Sequence, residues 1–244
     1  MSLSRFHLTA ESWQPETLTL SGDEAAHCYR VLRREIGDAI EIFDGRGRVA
    51  TAEITAISKT SVTARINSLH QHEPRRYEIY LLPAMIKAEP FEWMLEKAVE
   101  LGAASIQPVI STRTIVHLSG ENLEKKMLKW QRHMIESAKQ CHTPWLPRLE
   151  KPRPLAEILS ALPNDVVKVI PALSEHSRSL HEIQLTGVTS VCTLIGPEGD
   201  FTTEEEVMAQ QQGFQPITLG PLILRAETAA ITTLAILSHE LRRG

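Results

Sequence analysis

The chain has 244 residues, enough for one or two domains with a sizeable core. Its 42% hydrophobic and 23% charged residues are ordinary for a globular protein, and a formal net charge of −4 excludes a generally basic chain while leaving local basic patches open. Cys28, Cys141 and Cys192 are scattered without metal spacing or a disulfide framework, the N-terminus lacks a secretory leader, and no run nears the roughly 20 apolar residues of a membrane span, so a reducing cytoplasmic setting without membrane or metal is expected.

Residues 1–70 read as a small, mostly β domain. Ser21-Gly22-Asp23-Glu24 has capping-box spacing and opens a helix. Cys28, Val31 and Leu32 are expected to face its core, while His27, Arg30 and Arg34 share the opposite face with Arg33 beside them. After Gly37 the pattern changes to period two: AIEIF, the turn DGRG and VATAEI predict a β-hairpin, and 61–66 a further strand. Eight Lys plus Arg stand against nine Asp plus Glu, so this domain is not basic as a whole. Arg30, Arg33, Arg34, Arg46 and Arg48 nevertheless lie on rigid elements, either to track RNA phosphates or as solvated faces. The polar stretch SLHQHEPRR reads as a linker, with 71–76 as the connection and 77–244 as the second domain.

In that second domain 78–82 is the first buried strand, with Lys87 soon after it. Phe91, Met94, Leu95, Ala98 and Leu101 recur at helical spacing up to Gly102, a stripe that reads as core, and Lys97 rides on the same helix. A strand follows at 106–110. Residues 113–153 hold nine Lys plus Arg against four Asp plus Glu. Lys125, Lys126, Lys129, Arg132 and Lys139 fall there on one long predicted helix, as an RNA footprint or a solvated face. No spacing nominates His117, His133 or His142 for chemistry. Residues 166–170 form another strand, and Pro171-Ala172-Leu173 leaves it, by order the third loop of a cofactor site. Strand and helix alternate, so the class is α/β with a mainly parallel sheet.

Residues 191–237 carry the strongest signal. An apolar strand, 191–195, runs into the loop Gly196-Pro197-Glu198-Gly199-Asp200, then a polar helix closed by Gly213. A second short strand, 217–219, runs into Gly220-Pro221-Leu222-Ile223-Leu224-Arg225, and an Ala-rich helix follows, apolar on most faces and therefore buried on the sheet or against a second copy. Glycines let the main chain approach a ligand closely and prolines stiffen each loop. Ligands of open α/β sheets sit outside the carboxyl ends of strands. The pair of loops, edged by Glu198, Arg225 and Glu227, reads as a ligand cradle; two tight strand-to-helix turns are the plainer alternative. Residues 196–206 contain no Lys or Arg, and Glu204, Glu205 and Glu206 occupy the positive end of the next helix. A triphosphate is repelled there; a cationic or neutral cofactor is not.

LIGPEG followed by LGPLILRAETAA resembles the C-terminal signature of the 16S ribosomal RNA uridine-N3 methyltransferases, members of the SPOUT superfamily of knotted, S-adenosylmethionine-dependent methyltransferases. VLRREIGDAIEIFDGRG resembles that family's N-terminal domain, and MLEKAVELGAASIQPV its entry to the catalytic domain, where Lys97 and Glu100 match motif positions. The resemblance runs nearly end to end. It implies a PUA-like β-barrel that binds RNA over 1–70 and an α/β trefoil-knot domain over 77–244. It implies S-adenosylmethionine held by Leu173, Ile195, Gly196, Pro197, Glu198, Gly199, Leu219, Gly220, Leu222, Ile223 and Leu224. It further implies a homodimer acting on 16S rRNA of the assembled small ribosomal subunit near the decoding site, with Arg30, Arg33, Arg34, Arg46, Arg48, Lys87, Lys97, Arg132 and Lys139 toward RNA. Three stretches depart from the family. Asp200 replaces a usual glycine, Ala88-Glu89-Pro90 replaces a Gly-Asp-basic stretch, and His142-Thr143-Pro144 replaces one that normally carries an arginine.

The chemistry needs help at the uracil ring, because N3–H is a weak acid and a poor nucleophile while protonated. Arg225 is the candidate cation for the anion that forms. Glu227, or else Glu198 or Asp200, is the candidate base; the alternative for Glu227 is a first-turn residue that only complements the helix dipole. Two other classes stand beside this reading: a non-catalytic RNA-binding or ribosome-assembly protein, and a nucleotide-dependent α/β enzyme, against which the acid-rich loop argues.

Overall fold

The computed structural model describes residues 3–116, 118–173 and 177–243; His117 lies outside them. Two units divide the chain, Met1–Pro74 with Ala138–Leu146, and Arg75–Ser137 with Pro147–Gly244.

In the first unit the period-two pattern builds β1 (Ser4–His7), β2 (Thr17–Ser21), α1 (Gly22–Ala26), β3 (Ala39–Phe43), β4 (Arg48–Ile57) and β5 (Ser61–Gln71). The sheet order is β1-β3-β4-β5-β2, antiparallel except where β1 runs parallel to β3. Ile40 and Ile42, Ala50, Ala52 and Ile54, and Val62 and Ala64 point into one core with Phe6, Leu18 and Leu20. Register shifts between Thr51 and Ala52 and between Ile54 and Ala56 curl the long β4–β5 pair.

The predicted hairpin forms, but the predicted helix before it does not continue. Ser21 makes no side-chain capping bond, and Glu24 instead accepts from His7 N at 3.2 Å and Lys139 Nζ at 2.5 Å. After α1 the chain widens into a π turn, His27–Val31, and Arg33 takes φ 51°. The extra residue in that turn rotates later side chains out of α-helical register. Cys28 therefore reaches the core, whereas Val31 is 67% and Leu32 38% exposed.

The β3–β4 turn is built around Asp44, whose Oδ1 accepts from Arg46 N at 2.7 Å and Arg48 N at 3.0 Å. Residues 142–146 dock on this turn: Gly47 N donates to Pro144 O at 3.1 Å and Leu146 N to Gly45 O at 2.9 Å. His142 takes φ 57° and Pro144 supplies the acceptor, so the departing stretch His142-Thr143-Pro144 forms this seam. Gly47 has φ 97°, and a Cβ there would stand 2.7 Å from the Trp145 ring. Left-handed strain and overpacking together make Gly47→Ala destabilising by about 2–4 kcal/mol, read as a lowered urea midpoint at unchanged slope. An unchanged midpoint would mean that the seam is loose.

The second unit comprises β6 (Glu78–Pro83), α2 (Ala88–Glu100), β7 (Ser105–Ile106), β8 (Val109–Ile110), α3 (Gly120–Cys141, its last turn counted with the first unit), β9 (Arg148–Leu149), β10 (Arg153–Pro154), α4 (Leu155–Ala161), β11 (Val167–Pro171), β12 (Arg178–Ser179), β13 (Ser190–Ile195), α5 (Thr203–Gln211), β14 (Gln215–Thr218) and α6 (Ala226–Arg243). Seven strands pair in parallel in the order β12-β14-β11-β13-β6-β7-β9, and β8 pairs with β10 in a separate two-stranded ladder, with a further bridge from Val109 to Ala84. The strand expected over 106–110 is thus two short ones, because Pro108 has no N–H with which to continue a ladder.

Central β13 is buried on both faces, as a continuous apolar run in a parallel sheet predicts. Leu82, Ile158, Leu159, Ile170, Leu194, Phe201 and Phe214 form one core with it. The helical stripe of α2 is also core, with Phe91 against Trp130 at 4.8 Å between ring centroids. α6 is less evenly buried than its composition suggests: Leu234 and Leu237 are fully buried, while Thr228, Thr232, Ala235 and His239 keep one side partly or wholly open. Among the described residues no helix is long and apolar enough to cross a membrane. β14, β11 and β13 are neighbours, so the loops leaving their carboxyl ends converge.

Candidate active site

These loops surround an open cleft. Leu173 lines it after β11. Ile195, Gly196, Pro197, Glu198 and Asp200 line it after β13, and Leu219, Gly220, Leu222, Ile223 and Leu224 after β14. Every residue expected to touch a cofactor is therefore brought together except Gly199, which turns away: a Cβ on it would point to the Arg113 side chain at 3.5 Å. Pro171 and Ala172, from the loop expected to leave β11 as the third of the site, also line the cleft, as do Ala226 and Ala229, which sequence reasoning does not nominate. Ala226 and Ala229, three apart at the start of α6, carry the one pattern that points to them.

Backbone geometry shapes the walls. Gly220 has φ 114°, a conformation that side chains rarely adopt, and its N–H donates to Thr218 Oγ1 at 3.1 Å. At Gly196 an added Cβ would lie 2.9 Å from Asp200 Oδ1 and 3.4 Å from the Phe201 ring. Asp200 N donates to Pro197 O at 3.0 Å, closing the loop on itself.

The same loop is held from outside. Thr202 and Glu205 form a reciprocal capping box at the start of α5. The second oxygen of the buried Glu205 carboxylate accepts from Thr112 N at 2.7 Å and Thr112 Oγ1 at 3.0 Å. Arg113 Nη1 donates to Gly199 O at 2.5 Å and Phe201 O at 3.2 Å. Sequence reasoning assigns Glu205 only to the helix dipole; it also locks the segment after β8 to the loop after β13.

The charged lining side chains, Glu198 and Asp200, are both acidic, and no Lys, Arg or His is among the lining residues described. Glu206 nearby is pushed above the usual carboxylate range, first by burial and then by Asp200. Apolar side chains stand open around the cleft: Leu173 is 61%, Leu222 72% and Ile223 84% exposed. Exposed apolar side chains gathered at a concave site mark a binding surface.

Of the catalytic candidates Glu198 and Asp200 line the cleft, and Glu198 Oε1 accepts from Lys87 N at 3.3 Å. Arg225 and Glu227 bracket Ala226, which does line it. Arg225 is exposed and its carbonyl accepts from Ala229 N at 2.8 Å, starting α6. Glu227 is only 8% exposed, and no hydrogen bond or ion pair holds its carboxylate among the described residues.

The basic candidates separate by environment. Arg30, Arg33, Arg46, Lys87 and Arg132 are exposed. Arg30 Nε donates to Tyr29 Oη at 2.7 Å, and Arg46 pairs with Glu11 at 2.8 Å on the surface. Arg34 is bound to Ser4 Oγ, and Arg48 to Asp44, Ala10 O and the Trp13 ring. Lys97 lies between Glu96 and Glu100 at 2.8 Å each, which hold its ammonium above the usual pKa. Lys139 is buried against Glu24. On α3, Lys126 and Lys129 both reach Glu92, and Lys125 reaches Glu121, so the cationic row counted from the sequence is largely paired. Among the described residues no group of His, Cys, Asp and Glu is placed to hold a metal.

Residues 73–238 match the family described as RNA methyltransferase domain, and residues 20–67 the family described as RNA methyltransferase PUA domain. The chain is 28% identical over 238 residues to the Ribosomal RNA small subunit methyltransferase E of Bacillus subtilis, covering 93% of each chain. Among solved structures it is similar to a Legionella pneumophila methyltransferase in complex with bound S-adenosylmethionine, with TM-score 0.91, 32% identity and 98% of each chain covered. It is also similar to the Ribosomal RNA small subunit methyltransferase E of Neisseria gonorrhoeae bound to S-adenosylmethionine, with TM-score 0.89, 32% identity and 98% of each chain covered.

Proposed function

The chain belongs to the RNA methyltransferase family that matches residues 73–238, and on that premise we propose that it transfers a methyl group from S-adenosylmethionine to N3 of one uridine of 16S rRNA, in the decoding region of the assembled small subunit. The observation that carries the reading is the cleft where β11, β13 and β14 end, lined by backbone and apolar groups and edged by carboxylates. That lining suits a flat base and a cationic sulfur better than a polyphosphate. Bound S-adenosylmethionine supplies an electrophilic methyl group. The chain supplies the rest. Gly196 and Gly220 admit the ligand to the main chain, and Leu219, Leu222, Ile223 and Leu224 exclude water from its apolar surface. Glu227 takes the N3 proton, with Glu198 as the second candidate, and Arg225 holds the negative charge left on the ring oxygens. Because N3 lies on the Watson–Crick edge, the target base has to be unpaired or extruded.

The exposed Arg30, Arg33, Arg46, Lys87 and Arg132 are the cations best placed for RNA phosphates within their own units. The open side of α6, with Thr228, Thr232 and Ala235 spaced along it, is the face on which a second copy packs. A monomer in sedimentation at micromolar concentration would remove the dimer from this reading.

The experiment is methylation of small subunits from a strain lacking the endogenous mark, followed by mass mapping of the 16S rRNA. One N3-methyluridine in the decoding region is expected. Incorporation at another atom would overturn the assignment of N3, and no incorporation together with no S-adenosylmethionine binding would favour a non-catalytic assembly role.

A further inference from the structure

Asp200 sits in the cleft wall against its own backbone preference. Its φ of 62° lies in the left-handed region, where a Cβ is disfavoured and glycine is at ease. Its carboxylate stands beside the loop floor, Oδ1 lying 2.9 Å from the point a Cβ on Gly196 would occupy. Oδ1 accepts from Phe201 N at 2.9 Å, and no Lys, Arg or His pairs with the carboxylate among the described residues. Arg113, a cation in the loop's own network, commits its Nη1 to the Gly199 and Phe201 carbonyls. A left-handed backbone and a carboxylate that forms no ion pair among the described residues, on a cleft wall rather than in a packed core, are the features of a residue kept for a ligand.

We propose that Asp200 makes the cleft selective for ligand charge, favouring the cationic methyl donor over S-adenosylhomocysteine, the product left after transfer. The proposal rests on the cofactor reading above. In the transfer the methyl carbon bonds to N3, the electron pair of the carbon–sulfur bond stays on sulfur, and the proton of N3 goes to the base. Sulfur thereby changes from a sulfonium to an uncharged thioether. The two ligands share every other group, so a carboxylate on the cleft wall distinguishes them by charge alone. Product is released more readily, and donor competes better in a mixture of both. Glu198 contributes the same sign from the same loop but is oriented to Lys87 N, which leaves Asp200 as the carboxylate that faces the loop floor.

The test is calorimetry of the wild type, Asp200→Gly and Asp200→Asn with each ligand separately, at low and high salt. Both variants are expected to weaken S-adenosylmethionine binding about five- to tenfold while changing S-adenosylhomocysteine binding less than about twofold. The wild-type preference should shrink with added salt and the variants' preference should not. Asp200→Gly also relieves the φ strain, so its melting temperature should be no lower than that of the wild type, and Asp200→Asn keeps the shape should the glycine loosen the loop. Equal shifts for both ligands, or no shift for either, overturn charge selection while leaving the cofactor reading intact. A wild type that binds neither ligand overturns both.

Discussion

Glu227→Gln and Arg225→Ala are expected to bind S-adenosylmethionine within about twofold of the wild type and to lose roughly 100-fold or more in turnover. The two side chains flank Ala226, whose own surface is part of the cleft. Glu227 differs from the other buried acid near the site. Glu205 accepts three hydrogen bonds and belongs to the scaffold. The Glu227 carboxylate has no such partners among the described residues although it is 8% exposed. A carboxylate that no neighbour engages is available to a proton of the substrate, whereas that of Glu205 is committed to the scaffold. Glutamine keeps its volume and removes its basicity, so a folded but slow enzyme is the expected outcome. Arg225 begins α6 through its carbonyl, not its side chain, so alanine should leave the helix start in place. Cofactor binding lost together with turnover would reassign both residues to the cofactor site. Wild-type rates in both would pass the role of base to Glu198.

Gly220→Val should abolish measurable S-adenosylmethionine binding, a loss of about 100-fold or more in affinity. A φ of 114° is nearly closed to a β-branched residue, so valine would force the loop that lines the cleft out of its present path. Gly199→Ala is the matched control. Gly199 does not line the cleft, and a Cβ there would make ordinary contact with Arg113 at 3.5 Å, so affinity within about twofold of the wild type is expected. Calorimetry decides both. Strong loss at Gly199 with none at Gly220 would place the ligand on the other side of the loop.

The parallel sheet is legible in the sequence because its central strands are short apolar runs, and the cradle because glycine and proline mark the ends of two of them. The hairpin at 39–54 is legible from strict alternation around DGRG. What is not legible is mostly non-local. The bond from Thr112 N to Glu205 joins residues 93 apart in sequence, and neither residue carries a local pattern that names the other. The charge excess of 113–153 is real, yet Glu92 on α2 takes up Lys126 and Lys129; counting along one helix cannot see an acid on another. The π turn at His27–Val31 is a different kind of miss, since a helical wheel assumes 3.6 residues per turn and one inserted residue spoils it.

Because residues 138–146 complete the first unit, the polypeptide passes between the units three times rather than once. Excising the N-terminal piece at the Pro74–Arg75 junction would strip Trp145 and Leu146 from Gly47 and Gly45 and uncover bare main chain at the hairpin tip. A fragment ending there is a barrel missing its plug, so genetic dissection of RNA binding from methyl transfer has to proceed by point substitution rather than by truncation.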